Sequence, residues 1–208
     1  EDGCFQDRYM LRPLDIPDAR FQKTIGSLEG DEGIYPTTQE GLDKLKPVRE
    51  SGTVTYGTQT HPADGCAGMV ITDCDKAQEL SQDAGIKIRL MSIGQSRVEL
   101  TFMPSAPIKA AADALSAANI TIRDVVAIKS HNPFAVNDII FARETGADLE
   151  TMNNFGCSLI WGHPQGPTGM RAIIELIEEL VMKGGGYGLF HGCAAGDTAM
   201  AVVIKVGE

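Results

Sequence analysis

The sequence predicts a layered α/β fold, and three observations support that prediction. Apolar runs typical of strands alternate with segments of helical periodicity from about residue 67 to the end of the chain. Glycine and proline separate most of these segments. The composition is that of an ordinary globular protein, with 208 residues of which 43% are hydrophobic and 22% charged. A chain of this length buries a sizeable core.

The expected elements follow from these patterns. We expect strands at residues 67–72, 86–93, 124–130, 187–192 and 199–206, the last two as an antiparallel pair. We expect helices at residues 39–46, 75–84, 106–118 and 135–145, and another from residue 168 to the glycines at 184–186.

Local signals define several helix ends. Thr38 is a suitable N-cap for the first helix, and Pro107 falls in a first turn, where a missing N–H costs nothing. Gly146 is expected to end the helix that begins near Ala135. Thr168 is expected to cap the last helix.

Helical spacing supports two of these helices. In the helix near residue 140, the periodic residues are Val136, Ile139, Ile140 and Arg143. In the last helix, one apolar stripe contains Ile173, Ile174, Ile177, Leu180 and Val181, with Glu175, Glu178 and Glu179 outside it.

The first part of the chain does not resemble an independent domain. Proline and glycine interrupt every periodic run before about residue 50. The expected strand at residues 67–72 and the helix after it have no upstream strand to pair with. We therefore infer that the chain is part of a larger fold, either a fragment or a subunit completed by another chain.

Charge and composition exclude several classes of function. The formal net charge is −10, which opposes binding to nucleic acid or to an anionic membrane. No apolar run approaches the roughly 20 residues of a membrane span, and Glu1-Asp2-Gly3-Cys4 lacks the features of a signal peptide. We expect a cytoplasmic protein.

The cysteines and two of the four histidines show no ligand spacing. The cysteines are scattered without a Cys-x-x-Cys pair, so the sequence indicates neither a disulfide framework nor a metal site; they are Cys4, Cys66, Cys74, Cys157 and Cys193. His61 and His191 are interpreted as structural.

Three residues combine reactive chemistry with small-residue backbone. His163 lies in Gly162-His163-Pro164-Gln165-Gly166-Pro167-Thr168-Gly169, where an imidazole could tune a thiolate or donate to an oxyanion. The alternative is a histidine in a structural turn. Cys193 lies between Gly192 and Ala194-Ala195-Gly196; the alternative is a small buried core residue. His131 at a strand end is only suggestive, and Trp161 either lines a pocket or packs in the core.

Together these residues resemble the thiolase family. Gly52-Thr53-Val54-Thr55-Tyr56-Gly57-Thr58 is similar to the family's Gly-Thr-Val-Thr-Ala-Gly-Asn stretch, and Ala106-Pro107-Ile108-Lys109-Ala110 to its Gly-Pro-x-x-Ala helix start. The run containing His163 resembles Gly-His-Pro-x-Gly-x-Ser/Thr-Gly, and Cys193-Ala194-Ala195 falls at Cys-x-Gly. His131-Asn132-Pro133-Phe134 replaces the usual Asn-Glu-Ala-Phe and is closer to the His-Asp-Cys-Phe of the sterol-carrier-protein-linked branch.

The resemblance implies acyl-CoA chemistry and a role for each residue. The reaction would be Claisen condensation of two acyl-CoA molecules or thiolytic cleavage of a 3-oxoacyl-CoA. His163 would lower the pKa of a nucleophilic thiol and bind a thioester oxygen, while Cys193 would transfer the proton. His131 would serve the first oxyanion hole and the N–H of Ala195 the second. Thr60 would lie near the pantetheine of CoA.

The resemblance also implies a missing half. Thiolases carry their acyl-accepting cysteine in an N-terminal half, and no cysteine here has that setting. Residues 1–61 would end the CoA-covering loop domain, residues 62–85 would complete the N-terminal catalytic domain, and residues 86–208 would form the C-terminal domain of an α-β-α-β-α layered fold. The expected partners are that half, an acyl-CoA and a second copy of the complete unit, as a homodimer or tetramer, with no cofactor besides the CoA thioester substrates.

Departures from the family pattern keep two alternatives open. Ala195 replaces a glycine, and Trp161 is bulkier than the usual residue, which would affect the acyl chain that fits. One alternative is a non-catalytic acyl-CoA-binding or scaffolding module, which Ala195 and the missing nucleophile support. The other is a different condensing enzyme of the same fold, although such sites normally pair His–His or His–Asn where Cys193 stands.

Overall fold

The computed structural model describes Arg8 and residues 10–208, so Cys4 and the first residues of the chain lie outside it. The strands are β1 (Leu14–Pro17), β2 (Thr24–Leu28), β3 (Ile88–Arg97), β4 (Val125–His131), β5 (Gly186–Ala194) and β6 (Thr198–Val206). The α-helices are α1 (Gln39–Asp43), α2 (Cys74–Leu80), α3 (Ala106–Ala117), α4 (Ala135–Thr145), α5 (Ser158–Trp161) and α6 (Thr168–Met182).

The centre of the fold is a four-stranded sheet in the order β3-β6-β5-β4. β4 and β5 are parallel, whereas β6 runs antiparallel to both of its neighbours. The β5–β6 hairpin confirms the antiparallel pair predicted at the end of the chain. A parallel pair requires a long crossover, and the chain between β4 and β5 contains α4, α5 and α6.

Helices cover both faces of this sheet, which gives the layered α/β architecture that the sequence predicts. On one face, α3 and Phe141 of α4 pack with Leu189, Ala201 and Val203. On the other face, α6 packs through Leu176 and Leu180 onto a second cluster that includes Phe190, Val202 and Ile204. The two faces therefore have separate cores.

The alanines of α3 allow this helix to lie almost against the backbone of β3. The hydroxyl of Ser92 donates to the carbonyl of Ala114 over 2.6 Å. A Cβ on Gly94 would lie 2.0 Å from the carbonyl oxygen of Ala110 and 2.7 Å from the nitrogen of Ala114. A side chain at residue 94 would therefore force the helix and strand apart.

Several predicted helix ends are confirmed. The Thr38 side chain accepts a hydrogen bond from the N–H of Gly41 and caps α1. Pro107 lies in the first turn of α3. Gly146 ends α4 in the left-handed conformation with φ of 74°, which glycine adopts without the steric cost of a Cβ.

The strand predicted at residues 67–72 is absent. This segment has no regular structure, and Val70 and Ile71 are 76% and 72% exposed. An apolar run forms a strand only where another strand completes its hydrogen bonds, and none of the described residues pairs with this one. The helix predicted after it is present as α2, shorter than expected and without a buried residue.

The buried face of α4 is not the one marked by the apolar spacing. In α4 the buried residues are Asn137, Asp138 and Phe141, while Val136 and Ile139 are exposed. Asp138 is buried because its polar partners Ser130 and Asn132 lie in and just after β4. Asn137 is buried against the sulfur of Cys193.

In α6 the predicted apolar stripe packs onto the sheet through Ile177 and Leu180, but two of the glutamates expected outside it are buried as well. Glu175 and Glu179 are buried because cations reach them, Lys129 in the first case and Lys183 in the second. Thr168 is the first residue of α6 rather than its N-cap, and the cap position is Pro167.

The N-terminal segment is largely exposed and includes the β1–β2 hairpin, which the sequence analysis did not predict. Within the described part of the chain, no helix has both the length and the apolar character needed to cross a membrane.

Candidate active site

The candidate site lies at the carboxyl edge of the sheet. His131 is the last residue of β4 and pairs in register with Gly192 of β5, immediately before Cys193. Because β4 and β5 are parallel, their carboxyl ends meet at one edge. Strand topology therefore brings two of the three predicted reactive residues to one end of the sheet.

The structure brings His131 and His163 into direct contact. Their rings stack with centroids 4.2 Å apart and planes inclined by 27°. Each Nδ1 has a hydroxyl partner at 2.8 Å, Ser158 Oγ for His131 and Thr168 Oγ1 for His163. Because these hydroxyls occupy both Nδ1 atoms, Nε2 of each ring is the nitrogen left to form hydrogen bonds with other groups.

The backbone of His163 is fixed by an earlier segment of the chain. Its N–H donates to the carbonyl of His61 over 2.8 Å, within a parallel bridge between Pro62 and His163. Gly162 has φ of 89°, and a Cβ there would lie 2.8 Å from that of Ala63 and 2.9 Å from Nε2 of His61. Gly162 therefore lets these two segments of the protein approach closely, and the contact of Gly162 with a substrate that the resemblance implies stays a prediction.

Both imidazoles are held in the neutral form at neutral pH. Burial lowers the pKa of His131 to about 4, with a further lowering from the charge of a protonated His163. Burial also lowers the pKa of His163. A neutral imidazole can accept a proton at one nitrogen and donate a hydrogen bond from the other.

Cys193 is buried near the end of β5 and faces α4. Its Sγ accepts a hydrogen bond from Nδ2 of Asn137 over 3.4 Å. Burial raises the pKa of the Cys193 thiol to about 11, against a lowering by the Asn137 hydrogen bond. The group is therefore a thiol at neutral pH.

Cys193 and the imidazoles approach the edge from opposite faces of the sheet. Side chains alternate along a strand: His191 stacks on Phe141 of α4, whereas a Cβ on Gly192 would lie 3.0 Å from Cβ of His131. Cys193 thus shares the α4 side with His191. That His163 and Cys193 act on one substrate stays a prediction.

Comparison with known proteins now decides the family. The model of the thiolase C-terminal domain matches residues 84–206. This chain belongs to the thiolase family.

Similar thiolases include curated proteins and solved structures. Peroxisomal 3-ketoacyl-CoA thiolase B of Rattus norvegicus is 30% identical over 98% of this chain and 48% of its own length. Acetyl-CoA acetyltransferase of Pseudomonas aeruginosa is 28% identical over 98% and 51%. The crystal structure of human mitochondrial 3-ketoacyl-CoA thiolase in complex with CoA matches with a TM-score of 0.80 at 29% identity over 86% of this chain and 46% of that one. Bacillus anthracis acetyl-CoA acetyltransferase matches with a TM-score of 0.87 at 28% identity over 98% and 50%.

The chain spans about half the length of these thiolases. A C-terminal half fits both the family match and the layered fold. The three-part division of the chain at residues 61 and 85 and the branch suggested by the His131 motif stay predictions.

The other predicted site residues of this thiolase chain lie at different depths. Thr60 donates from its hydroxyl to the carbonyl of Ser158 over 2.5 Å, and its N–H donates to the carbonyl of Pro133 over 2.8 Å. Thr60 thus lies between the loop that follows His131 and α5. Ala195 is exposed in the β5–β6 turn, where its carbonyl accepts from Thr198.

Trp161 packs inside the described part of the chain. It is 4% exposed, and the guanidinium of Arg171 lies 4.0 Å from the centroid of its ring. Asp31 binds the same guanidinium with both carboxylate oxygens, at 2.8 and 3.0 Å. The structure therefore links Trp161 to the N-terminal segment, and its proposed effect on the acyl chain stays a prediction.

Buried ions support the segment that carries His163. Lys129 of β4 pairs with Glu175 of α6 at 3.2 Å, and both side chains are almost fully buried. Arg171 also pairs with Glu175 at 3.2 Å. The ammonium of Lys129 donates to the carbonyl of Gly156 over 3.1 Å. This network joins β4, α6 and the loop before α5.

The sequence analysis missed Ser158 and Asn137 and assigned Thr168 a different role. Ser158 is fully buried and holds His131 across 27 positions of sequence, which no local pattern indicates. A signal existed for Thr168, since it follows His163 by five positions within the glycine-rich run. Asn137 could have been noticed because it lies on the same helical face as Phe141, a large apolar residue that is buried in α4.

Proposed function

We propose that the complete protein catalyses Claisen condensation of two acyl-CoA molecules, or the reverse thiolytic cleavage of a 3-oxoacyl-CoA, and is active only with an N-terminal half that supplies the acyl-accepting cysteine. This chain contributes His163, Cys193 and His131. The carrying observation is the stacked, neutral pair of His131 and His163 at the sheet edge where Cys193 also lies.

In the first step His163 accepts the proton of the nucleophilic thiol of the other half. The thiolate attacks the thioester carbonyl of an acyl-CoA, and collapse of the tetrahedral adduct breaks the carbon–sulfur bond. The departing CoA thiolate takes the proton of the Cys193 thiol and leaves as CoA. The neutral state of His163 at pH 7 supports its role as the proton acceptor, because only an unprotonated imidazole nitrogen accepts a proton.

In the second step Cys193 mediates proton transfer. The thiolate that Cys193 becomes on protonating the departing CoA removes a proton from the α-carbon of a second acyl-CoA. The resulting carbanion attacks the acyl-cysteine and forms the new carbon–carbon bond, and the nucleophilic cysteine leaves as a thiolate that takes back the proton held by His163. The oxyanions that develop accept hydrogen bonds from His131 and from the N–H of Ala195. In the cleavage direction the same thiol donates a proton to the leaving carbanion.

The pantetheine arm of the substrate is proposed to lie near Thr60. A cavity between the N-terminal segment and α5 lies next to this position. Gln59 and His61, the two neighbours of Thr60, line it together with Tyr35, Leu42 and Ile160 among others. No cofactor besides the CoA thioesters is proposed. A homodimer or tetramer, a role in lipid metabolism and a cytoplasmic location also stay predictions, and similar thiolases include peroxisomal and mitochondrial proteins.

The experiment uses the complete protein with acetyl-CoA and acetoacetyl-CoA as probes. We expect thiolysis by the wild type and a covalent acetyl-enzyme detectable by mass spectrometry. Cys193→Ser should retain the acetyl-enzyme and suppress condensation at least about a hundredfold. His163→Ala should lose both steps, and Cys66→Ser, at an exposed thiol, should behave as wild type.

Two results would contradict the proposal in different ways. A wild-type protein that binds acyl-CoA but forms no acetyl-enzyme and no product would favour the non-catalytic, scaffolding interpretation. Condensation by Cys193→Ser at the wild-type rate would refute the role of Cys193.

A further inference from the structure

Asn137 is a buried amide whose polar partner is the Cys193 sulfur. It lies in the first turn of α4, is 2% exposed, and its Nδ2 donates to Sγ over 3.4 Å. Its Oδ1 is buried and has no hydrogen-bond partner within the described part of the chain. Burying an amide whose oxygen accepts no hydrogen bond is unfavourable. Packing alone therefore gives no reason for an amide here.

The amide matches both protonation states of a sulfur. A thiolate only accepts hydrogen bonds, and Nδ2 is directed at Sγ to donate one. A thiol also donates, and Oδ1 is an acceptor without another partner. Rotation of the amide by half a turn presents the second group in place of the first.

Few charged groups compete for this sulfur. Asp138, also in the first turn of α4, raises the pKa of the Cys193 thiol by its charge, but its carboxylate is held by Ser130, Asn132 and Asn153. On β5 the adjacent titratable side chain is His191, whose ring stacks on Phe141. The rings of His131 and His163 lie towards the other face of the sheet.

We propose that Asn137 is a positioning residue for Cys193, which holds the sulfur by hydrogen bonding and favours formation of its thiolate. The importance of Asn137 for catalysis rests on the proposed function, in which Cys193 must alternate between thiol and thiolate. The hydrogen bond to the sulfur itself does not depend on that function.

The test measures the Cys193 thiol directly in the complete protein. Iodoacetamide labelling is followed by trypsin and mass spectrometry, because cleavage after Lys183 and Lys205 leaves Cys193 as the one cysteine of its peptide. Asn137→Leu removes the donor at similar volume, and Asn137→Asp replaces it with an anion of the same shape. Asn154→Leu is the matched control, because it deletes an amide bonded to Glu179, away from the sulfur.

We expect labelling of Cys193 at fixed alkaline pH to slow about tenfold in Asn137→Leu and at least as much in Asn137→Asp. The pH midpoint of labelling should rise in both, and Asn154→Leu should match the wild type. Asn137→Gln, which retains an amide, should recover part of the rate.

Labelling at the wild-type rate by either folded variant, verified by circular dichroism, would overturn the proposal. If Asn137→Leu does not fold, Asn137→Asp still tests the proposal, because the aspartate side chain differs from that of asparagine in only one terminal atom. Thiolase assays on the same variants separate the two claims. Altered labelling in a protein that lacks thiolase activity would refute the proposed function and leave the hydrogen bond supported.

Discussion

The imidazole rings of His131 and His163 stack 4.2 Å apart although 32 positions separate the residues in sequence, because His131 ends β4 and His163 precedes α6. Two protonated rings at this distance would repel each other strongly inside a protein. Burial and proximity therefore both favour two neutral rings. The arrangement provides two adjacent hydrogen-bonding nitrogens at the end of the sheet.

The first prediction concerns the pH dependence of stability. The pKa of His131 falls from 6.5 to about 4 on folding, so between these values the unfolded chain binds a proton that the folded chain does not. The free energy of unfolding should therefore decrease as the pH falls through this window, by up to about 3 kcal/mol for His131, and be fully retained above it. Urea unfolding of the complete protein from about pH 7 to about pH 4.5 measures this.

His131→Asn is the matched variant for that experiment. It should show a shallower loss of stability on acidification, and the remaining slope should include His191, whose pKa is lowered by burial to about 3. An unchanged slope in the variant would contradict the assignment to His131.

The second prediction concerns the buried pair of Lys129 and Glu175. Lys129→Met should reduce the free energy of unfolding by about 3 kcal/mol, because it leaves Glu175 with less compensation inside the protein. The double variant with Glu175→Leu should regain most of this loss, since no buried carboxylate is then left short of a cation. Chemical denaturation of the complete protein measures both.

The exposed pair of Lys109 and Asp113 is the control for that cycle. Lys109→Met should change stability by less than about 0.5 kcal/mol, because solvent screens this pair. Equal losses of stability in Lys109→Met and Lys129→Met would show that burial does not determine how much these ion pairs contribute to the free energy of unfolding.

The third prediction concerns the contact between β3 and α3. Gly94→Ala would place its Cβ 2.0 Å from the backbone oxygen of Ala110, so we expect a loss of at least about 3 kcal/mol or failure to fold. Gly30→Ala is the control, because a Cβ there meets nothing within 4 Å. Thermal unfolding distinguishes them, and a Gly94→Ala protein as stable as wild type would show that the helix can move away freely.

The fourth prediction concerns residues 1–208 expressed alone. Val70 and Ile71 are more than two-thirds exposed, and β3 is an edge strand with Ile88 and Leu90 about half exposed. Such surfaces promote self-association. Light scattering should detect oligomers, and co-expression with the other half should abolish them. A monomeric chain with one cooperative thermal transition would contradict the incomplete-fold inference.

Local sequence patterns predicted the elements that local chemistry controls. The bounds of α4 were predicted to the residue because Gly146 ends it in the left-handed conformation, and α1 begins at the predicted Thr38 cap. The paired β5 and β6 were predictable because a short turn joins two apolar runs. The segment at residues 67–72 was predicted wrongly because strand formation depends on a partner elsewhere in space.

Residue patterns along the chain were enough to indicate the family, the alternation of helices and strands, and His131, His163 and Cys193 as the candidate reactive groups. The folded arrangement was needed to see that the two imidazoles stack, that Ser158 and Thr168 hold them, and that Asn137 reaches the sulfur. The reason is physical: helix caps and periodicities depend on neighbours within a few residues, whereas hydrogen bonds and buried charges depend on which distant segments the sheet brings together.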